Sequence, residues 1–304
     1  MVFFSTLRQT LRIITVLAVS VLPGIACAEV LVLGSVNQDI RKHLNRFAPL
    51  AAYLEEALAP HGVTSVETSV FSNSGEMATA MREGKVDLYF DSPLVAASVA
   101  RRAGAEPFLR RWKSGVAEYH SVLVVKAESR FRTVEDLQGV TIGFQEPDST
   151  SGFLLPAALL TEAGLKLKEK QKPWTPQGDG AVNYVFTGDD INTVAWLARG
   201  LIDVGATDPR GLAWLEEVQP GAYRVLARTV DVPRQVVIRR GDLDPALTEA
   251  ISVVLQDMVN SGEGIATMAQ FNKTTRFDPF PQGVEATFDP IYQKLDLLET
   301  LGLM

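Results

Sequence analysis

GKVDLYFDSP, residues 84–93, is echoed 116 residues later by GLIDVGATDP, residues 200–209. Each copy reads as a helix end closed by glycine, a short β-rich run entered through aspartate, and a Ser-Pro or Asp-Pro turn that opens the next helix. If each copy belongs to its own parallel sheet, Asp91-Ser92 and Thr207-Asp208 both lie just past the carboxyl end of a strand, where open α/β sheets bind ligands. The motif is short, and on spacing alone two unrelated βα turns would look the same.

Outward from these copies, β-rich runs alternate with helical stretches along the chain, which predicts an α/β architecture with mainly parallel sheets. Strands are expected at 30–33, 66–71, 86–90, 121–125, 141–144, 184–186, 204–207 and 235–238. The clearest helix spans 46–58, with Phe47, Leu50, Ala51, Leu54 and Leu58 on one face. Residues 245–259 and 292–301 read similarly, and 166–181, rich in Lys, Pro, Gly and Gln, reads as a surface loop.

At the N-terminus Arg8 and Arg12 precede an apolar run at 13–22, then Pro23, Gly24 and Ala26-Cys27-Ala28. That is a secretory signal peptide, residues 1–28, expected to be cleaved after Ala28 and to deliver the protein to the periplasm. The run is shorter than the roughly 20 residues of a membrane-spanning helix. Lipidation of Cys27 is the competing reading, against which Gly24 stands where lipoprotein signals usually carry Leu.

The exported part, residues 29–304, has no cysteine and carries 27 basic and 36 acidic residues, a formal charge of -9. Thiolate metal sites are therefore excluded, and His43, His61 and His120 are too few for a His-rich zinc cluster. No cofactor or metal is expected. The acidic balance and the lack of a basic stretch argue against nucleic acid or an anionic membrane as partner. Its length and 46% hydrophobic content over the whole chain suit two medium domains.

The most specific segment is FQEPDSTSGFLLPAALLTEAGL, residues 144–165. A strand, an acidic turn with proline, then Ser149-Thr150-Ser151-Gly152 at a helix start would aim hydroxyls and unpaired backbone N–H groups at one point. An oxyanion there is held without lysine. Ser149 or Thr150 acting only as a helix cap is the alternative.

These residues carry a resemblance. Asp136-Leu137-Gln138-Gly139, the run from Phe144 through Gly152 and Pro156 is similar to the PhnD-like phosphate, phosphite and phosphonate binding proteins of ABC transporters. Phe47-Ala48-Pro49-Leu50, Tyr53-Leu54, residues 84–93, Tyr119-His120-Ser121 and residues 200–206 extend the likeness over nearly the whole exported chain.

The resemblance implies a type II-like, two-lobed periplasmic binding protein whose lobes close on a ligand. Lobe one would take 29–119 plus 229–304 and lobe two 120–228, with crossovers near 119–121 and 228–230. It further implies Ser149, Thr150 and Ser151 as the oxyanion cradle, Tyr119 and Ser121 at the cleft wall, and Asp208 as the partner of a ligand ammonium. Asp190 stands where the family often has a histidine, and Asn73 or Ser74 where it has a tyrosine. With Asp91 and Ser92 added from lobe one, three carboxylates would face the cradle, which suits a zwitterionic phosphonate-like solute. A cationic or metal-containing solute would also fit. Asp190 as a cap of the helix after it is the other reading.

Trp112 and Tyr119 are the aromatic candidates for the cleft, Trp196 is expected in a core, and Arg110, Arg111 and Lys113 read as a solvated basic face, with attraction of an anion as the other reading. No catalytic residue is expected. Ser149, His120 and Asp190 could be drawn as a triad, but no Gly-x-Ser-x-Gly elbow exposes the serine. The protein is expected to act as a monomer beside an inner-membrane ABC permease, or alternatively as a sensor component signalling to a membrane histidine kinase.

Overall fold

The computed structural model describes residues 29–174 and 180–304, so the leader, its cleavage point and Cys27 lie outside the described residues. The chain opens with β1 (Glu29–Val36), α1 (Ile40–Leu58), β2 (Val63–Phe71), α2 (Ser74–Arg82), β3 (Leu88–Asp91), α3 (Pro93–Ala103) and β4 (Glu106–Lys113). It leaves by β5 (Glu118–Tyr119) and enters β6 (Val122–Lys126) and β7 (Thr141–Phe144). There follow α4 (Leu155–Glu162), β8 (Leu167–Glu169), β9 (Val182–Phe186), α5 (Asp190–Ala198), β10 (Val204–Thr207), α6 (Pro209–Val218) and β11 (Tyr223–Arg228). It returns by β12 (Val232–Pro233) to β13 (Gln235–Arg239), α7 (Pro245–Asp257), α8 (Gly262–Gln270), β14 (Thr274–Asp278) and α9 (Val284–Thr300).

Two six-stranded sheets result, ordered β14-β4-β13-β3-β1-β2 and β11-β6-β10-β7-β9-β8. In the first, β13 runs against β3 and β4; in the second, β6 runs against β10 and β11. Both reversed strands immediately follow the pair β5 and β12, which cross between the sheets side by side, Tyr119 opposite Val232. This is the two-lobed α/β architecture expected from the sequence.

The echoed segments hold equivalent places. Strand β3 lies between β1 and the reversed β13, and β10 between β7 and the reversed β6. Gly84 and Gly200, which close the preceding helices, have φ of +71° and +70°, a conformation that favours glycine.

Helix α1 turns Phe47, Leu50, Ala51, Leu54 and Leu58 inward, as its spacing predicts, and Phe47 meets Phe90 and Phe271 edge-on. Each such fully buried side chain contributes about 1.5–3 kcal/mol. A second apolar cluster joins the lobes: Leu94 and Val95 of α3, Phe153 and Leu154, and Phe288, Ile291 and Leu295 of α9 belong to one core.

The sequence reading missed β4, β8, β11 and β14. In β4 the cause is Arg110, Arg111 and Lys113, whose charges interrupt a run that the fold nonetheless buries. The segment 166–181 is a correction of another kind: β8 lies within it and pairs in parallel with β9.

Candidate functional site

The parallel strands of both sheets deliver their carboxyl ends to the space between the lobes, as expected for ligand sites of open α/β sheets. A cavity of about 590 Å³ lies there, with Asn37, Gln38 and Asp91 on one wall and Gln145, Asp148 and Gly188 on the other.

Ser149 is the N-cap of a π-helical turn, Thr150–Leu154, that continues into α4. Its Oγ accepts the Gly152 N–H at 3.0 Å and donates to Gln145 Oε1 at 2.8 Å, while its carbonyl accepts from both Phe153 and Leu154. Such turns recur at functional sites, and the first N–H groups have no acceptor within the helix. Gly152 is required by proximity: a Cβ there would sit 2.3 Å from the Gln145 side chain.

Opposite this turn, α3 begins at Pro93 without a side-chain cap of its own, because the Ser92 hydroxyl is directed to Asp91 at 3.2 Å. Its Leu94 N–H instead donates to Thr150 Oγ1 at 3.3 Å, across the gap between the lobes. Two helix N-termini, with their partial positive charge, thus meet at one threonine. Tyr119 adds a third element, buried, with its hydroxyl near the side chains of Ser151 and Thr150. The structure therefore brings Thr150, Ser151, Tyr119 and the start of α3 together.

Ser121 is placed differently. It is fully buried, its Oγ donates to the Thr207 carbonyl at 3.3 Å, and its N–H donates to Thr229 Oγ1 at 2.9 Å, so it ties a crossing strand to β10.

Each carboxylate expected in the cleft already has partners. Asp91 accepts from the Tyr89 hydroxyl and, at 2.6 Å, from the Ser92 N–H; burial raises its pKa. Asp190 is not the cap of α5, a role that Asp189 takes by accepting the Asn192 N–H at 2.6 Å. Asp190 instead accepts from Gln145 Nε2 and from Thr207 Oγ1 at 3.2 Å, and burial followed by the charge of Asp208 raises its pKa.

Asp208 caps α6 through the Arg210 N–H at 2.9 Å and binds the Arg210 guanidinium at 2.9 and 2.6 Å, with Arg234 at 3.7 Å. Burial opposes ionisation of Asp208, but these partners outweigh it and hold its pKa low. Two arginines thus lie against the carboxylate that was expected to meet a ligand ammonium.

The basic run at 110–113 is a further correction, since Arg110 and Arg111 are 6% and 2% exposed and no solvated face. Arg110 is bound by Asp278 and Glu118. Trp112 lies between Arg110 and Arg276, with centroid distances of 5.4 and 5.6 Å, and donates its Nε1–H to Asp278.

Sequence reasoning missed Gln145, Arg210 and Arg234 altogether. Arg234 lies 4.2 Å over the Tyr119 ring, and its signal was its place one residue beyond a crossing strand. The drawn triad is not assembled: Ser149 bonds Gln145, and His120 bonds Asp231 at 2.9 Å. Among the described residues no group of three or more His, Cys, Asp or Glu is placed to hold a metal ion, and no helix is long and apolar enough to cross a membrane.

Residues 37–282 match the family model for periplasmic substrate-binding proteins of phosphonate ABC transporters. XAC2383 from Xanthomonas citri, solved bound to ATP, is 26% identical with a TM-score of 0.80, covering 89% of this chain and 98% of that one. PhnD1 from Prochlorococcus marinus, solved with methylphosphonate, is similar in fold at 19% identity and TM-score 0.61, covering 89% and 100%. The periplasmic aliphatic sulphonate binding protein SsuA from Escherichia coli shares the fold at 19% identity and TM-score 0.55, covering 91% and 88%.

Proposed function

Because the chain belongs to the family of periplasmic substrate-binding proteins of phosphonate ABC transporters, we propose that it captures a small oxyanion-bearing solute between its lobes for an inner-membrane permease. The observation that carries this reading is the meeting of two helix N-termini at Thr150, one from each lobe. An anion entering there takes hydrogen bonds from the backbone N–H groups of Thr150 and Ser151 and from the Ser149, Thr150 and Tyr119 hydroxyls. It replaces the Thr150 hydroxyl as the acceptor at the start of α3. Because donors come from both lobes, the anion favours the closed form over the open one, and the permease reads closure.

Phosphorus oxyanions are favoured over sulfonates by one relationship: the similar XAC2383 was solved with ATP, a ligand rich in phosphate. The cations near the cradle support the same choice, since a phosphoryl group carries more charge than a sulfonate. With Asp208 bound to Arg210 and Arg234, a ligand ammonium is not part of the reading. The proposal includes export by cleavage after Ala28, action as a monomer, and a lobe division of 29–119 with 229–304 against 120–228.

The test is thermal denaturation of residues 29–304 with phosphate, methylphosphonate, ATP, an alkanesulfonate and a quaternary amine. A ligand of the folded state present at 100 times its dissociation constant adds about 2.7 kcal/mol of stability. Stabilisation by the phosphorus compounds supports the reading. Stabilisation by the amine alone refutes it.

A further inference from the structure

Strand β4 carries two adjacent arginines with opposite fates. Arg110 is neutralised by Asp278 and Glu118. Arg111 is not. It is 2% exposed, donates from Nη1 to Thr274 Oγ1 at 2.9 Å and from Nη2 to Gln235 Oε1, and lies 4.9 Å over the Phe271 ring. Its Nε has no hydrogen-bond partner. Among the described residues no carboxylate lies within 4.0 Å of its guanidinium. A hydroxyl and an amide orient this cation without cancelling its charge, and a buried uncancelled charge is costly.

Lys113 points to the same face of the strand, two residues on. It too has no ion pair among the described residues, and beyond its burial it feels the charges of Arg234, Arg111, Arg210 and Arg46. Arg234, 7% exposed, adjoins the Gln235 that holds Arg111, and reaches Asp208 only at 3.7 Å. Arg210 binds the same Asp208 at 2.6 Å. Four cations, Arg111, Lys113, Arg210 and Arg234, therefore have one carboxylate in direct reach among the described residues. Asp91 and Asp190 act on them from further away and are already bonded to Tyr89 and Ser92, and to Gln145 and Thr207.

Tyr119 connects this corner to the cradle, its ring beneath Arg234 and its hydroxyl near Thr150 and Ser151. We infer that Arg111, Lys113 and Arg234 form a second anion subsite beside the hydroxyl cradle, so that the solute carries two anionic groups on a short connection, as a diphosphate does. This rests on the oxyanion reading above and narrows it, since methylphosphonate would fill only one of the two positions. Arginine suits the role because its planar fork matches phosphoryl oxygens.

Calorimetric titration of residues 29–304 with inorganic diphosphate and with methylphosphonate tests the inference. The wild-type protein is expected to bind diphosphate at least about tenfold more tightly, a gap equivalent to about 1.4 kcal/mol. Arg111→Gln and Lys113→Gln are each expected to lower the ratio of the two affinities by about that factor. Arg111 is built into the sheet packing, so Lys113→Gln carries the test if the arginine variant does not fold. A wild-type ratio near one, or a ratio that Lys113→Gln leaves unmoved, overturns the second subsite; methylphosphonate binding that depends on Ser149 and Thr150 would then still uphold the oxyanion reading. A wild-type protein that binds neither compound overturns both.

Discussion

Asp87 and Asp203 are structural counterparts: Asp87 Oδ2 accepts the Val32 N–H at 2.7 Å, and Asp203 Oδ2 accepts the Thr141 N–H at 2.9 Å. Each stands one residue before its strand and locks it to the parallel strand beside it, β3 to β1 and β10 to β7. The backbone repeats the pattern, with Asp87 N–H to the Val32 carbonyl and Asp203 N–H to the Thr141 carbonyl, both at 2.9 Å. Replacing either aspartate by alanine strands a backbone N–H and is expected to cost about 1–3 kcal/mol. Asp87→Ala should cost more than Asp203→Ala, because Arg240, 3.2 Å away, loses one carboxylate as well and keeps only Asp242. Urea denaturation of the two variants checks the order.

That equivalence was legible in the sequence because a Gly closing a helix, an Asp locking a strand and a Pro opening a helix each leave a local mark. The residues of the proposed cradle, Ser149, Thr150 and Ser151, stand out in the sequence for the same reason, all falling within 149–152. Of the cationic corner only the basic run at 110–113 was legible. Arg111, Arg210 and Arg234 lie far apart in sequence, and a buried arginine looks like a surface one until the strands that cover it are known. Asp208 thus seemed to face the cleft unpaired because Arg210 and Arg234 were out of view.

The cradle makes a sharp demand on binding and a mild one on stability. Ser149→Ala removes a helix cap, worth about 1 kcal/mol, whereas Thr150→Ala removes a hydroxyl whose partner lies in the other lobe. The double variant is expected to fold and to lose at least about 30-fold in affinity for methylphosphonate, as hydrogen bonds to a charged group are worth about 1.5–3 kcal/mol each. Circular dichroism and calorimetry on the same sample separate the two effects.

Gly152→Ala is expected to act through Gln145. The added Cβ forces away the side chain that accepts from Ser149 and donates to Asp190. Overpacking of this kind costs about 1–3 kcal/mol. Gly152→Ala combined with Gln145→Ala should regain most of the lost stability, since the second change clears the space, but not the affinity. Thermal melts and titrations of the single and double variants decide this.

Lys113 gives the pH dependence a definite sign. Burial first, then Arg234, Arg111, Arg210 and Arg46, pushes its ammonium down from 10.5 to about 8. His43 also faces it, with its own pKa lowered chiefly by burial. Between pH 8 and 10.5 the unfolded chain holds the Lys113 proton more firmly than the folded one, so raising the pH through this window favours folding. The affinity for diphosphate should fall over the same window, because the subsite loses a positive charge. Melting curves with and without diphosphate from pH 7 to 9.5 should therefore converge, the lower curve rising relative to the upper.

Helix α9 sets how readily the lobes part. It packs Phe288, Ile291, Leu295 and Leu298 into the core shared by both lobes, binds Arg101 of α3 through Asp296 and Glu299, and reaches α4 through Lys294 and Glu162 at 2.6 Å. Parting α4 from α9 must break that last pair. Lys294 is partly buried but Glu162 is largely solvated, so the pair is worth about 0.2–1 kcal/mol. Lys294→Ala should accordingly weaken ligand binding by no more than about fivefold. Capture precedes closure, so the whole effect belongs in a faster dissociation rate with the association rate unchanged. Leu295→Ala, by contrast, should cost about 2–5 kcal/mol of global stability. Stopped-flow measurement of both rate constants for Lys294→Ala distinguishes a contact made on closing from one present throughout, which would leave both rates as they are.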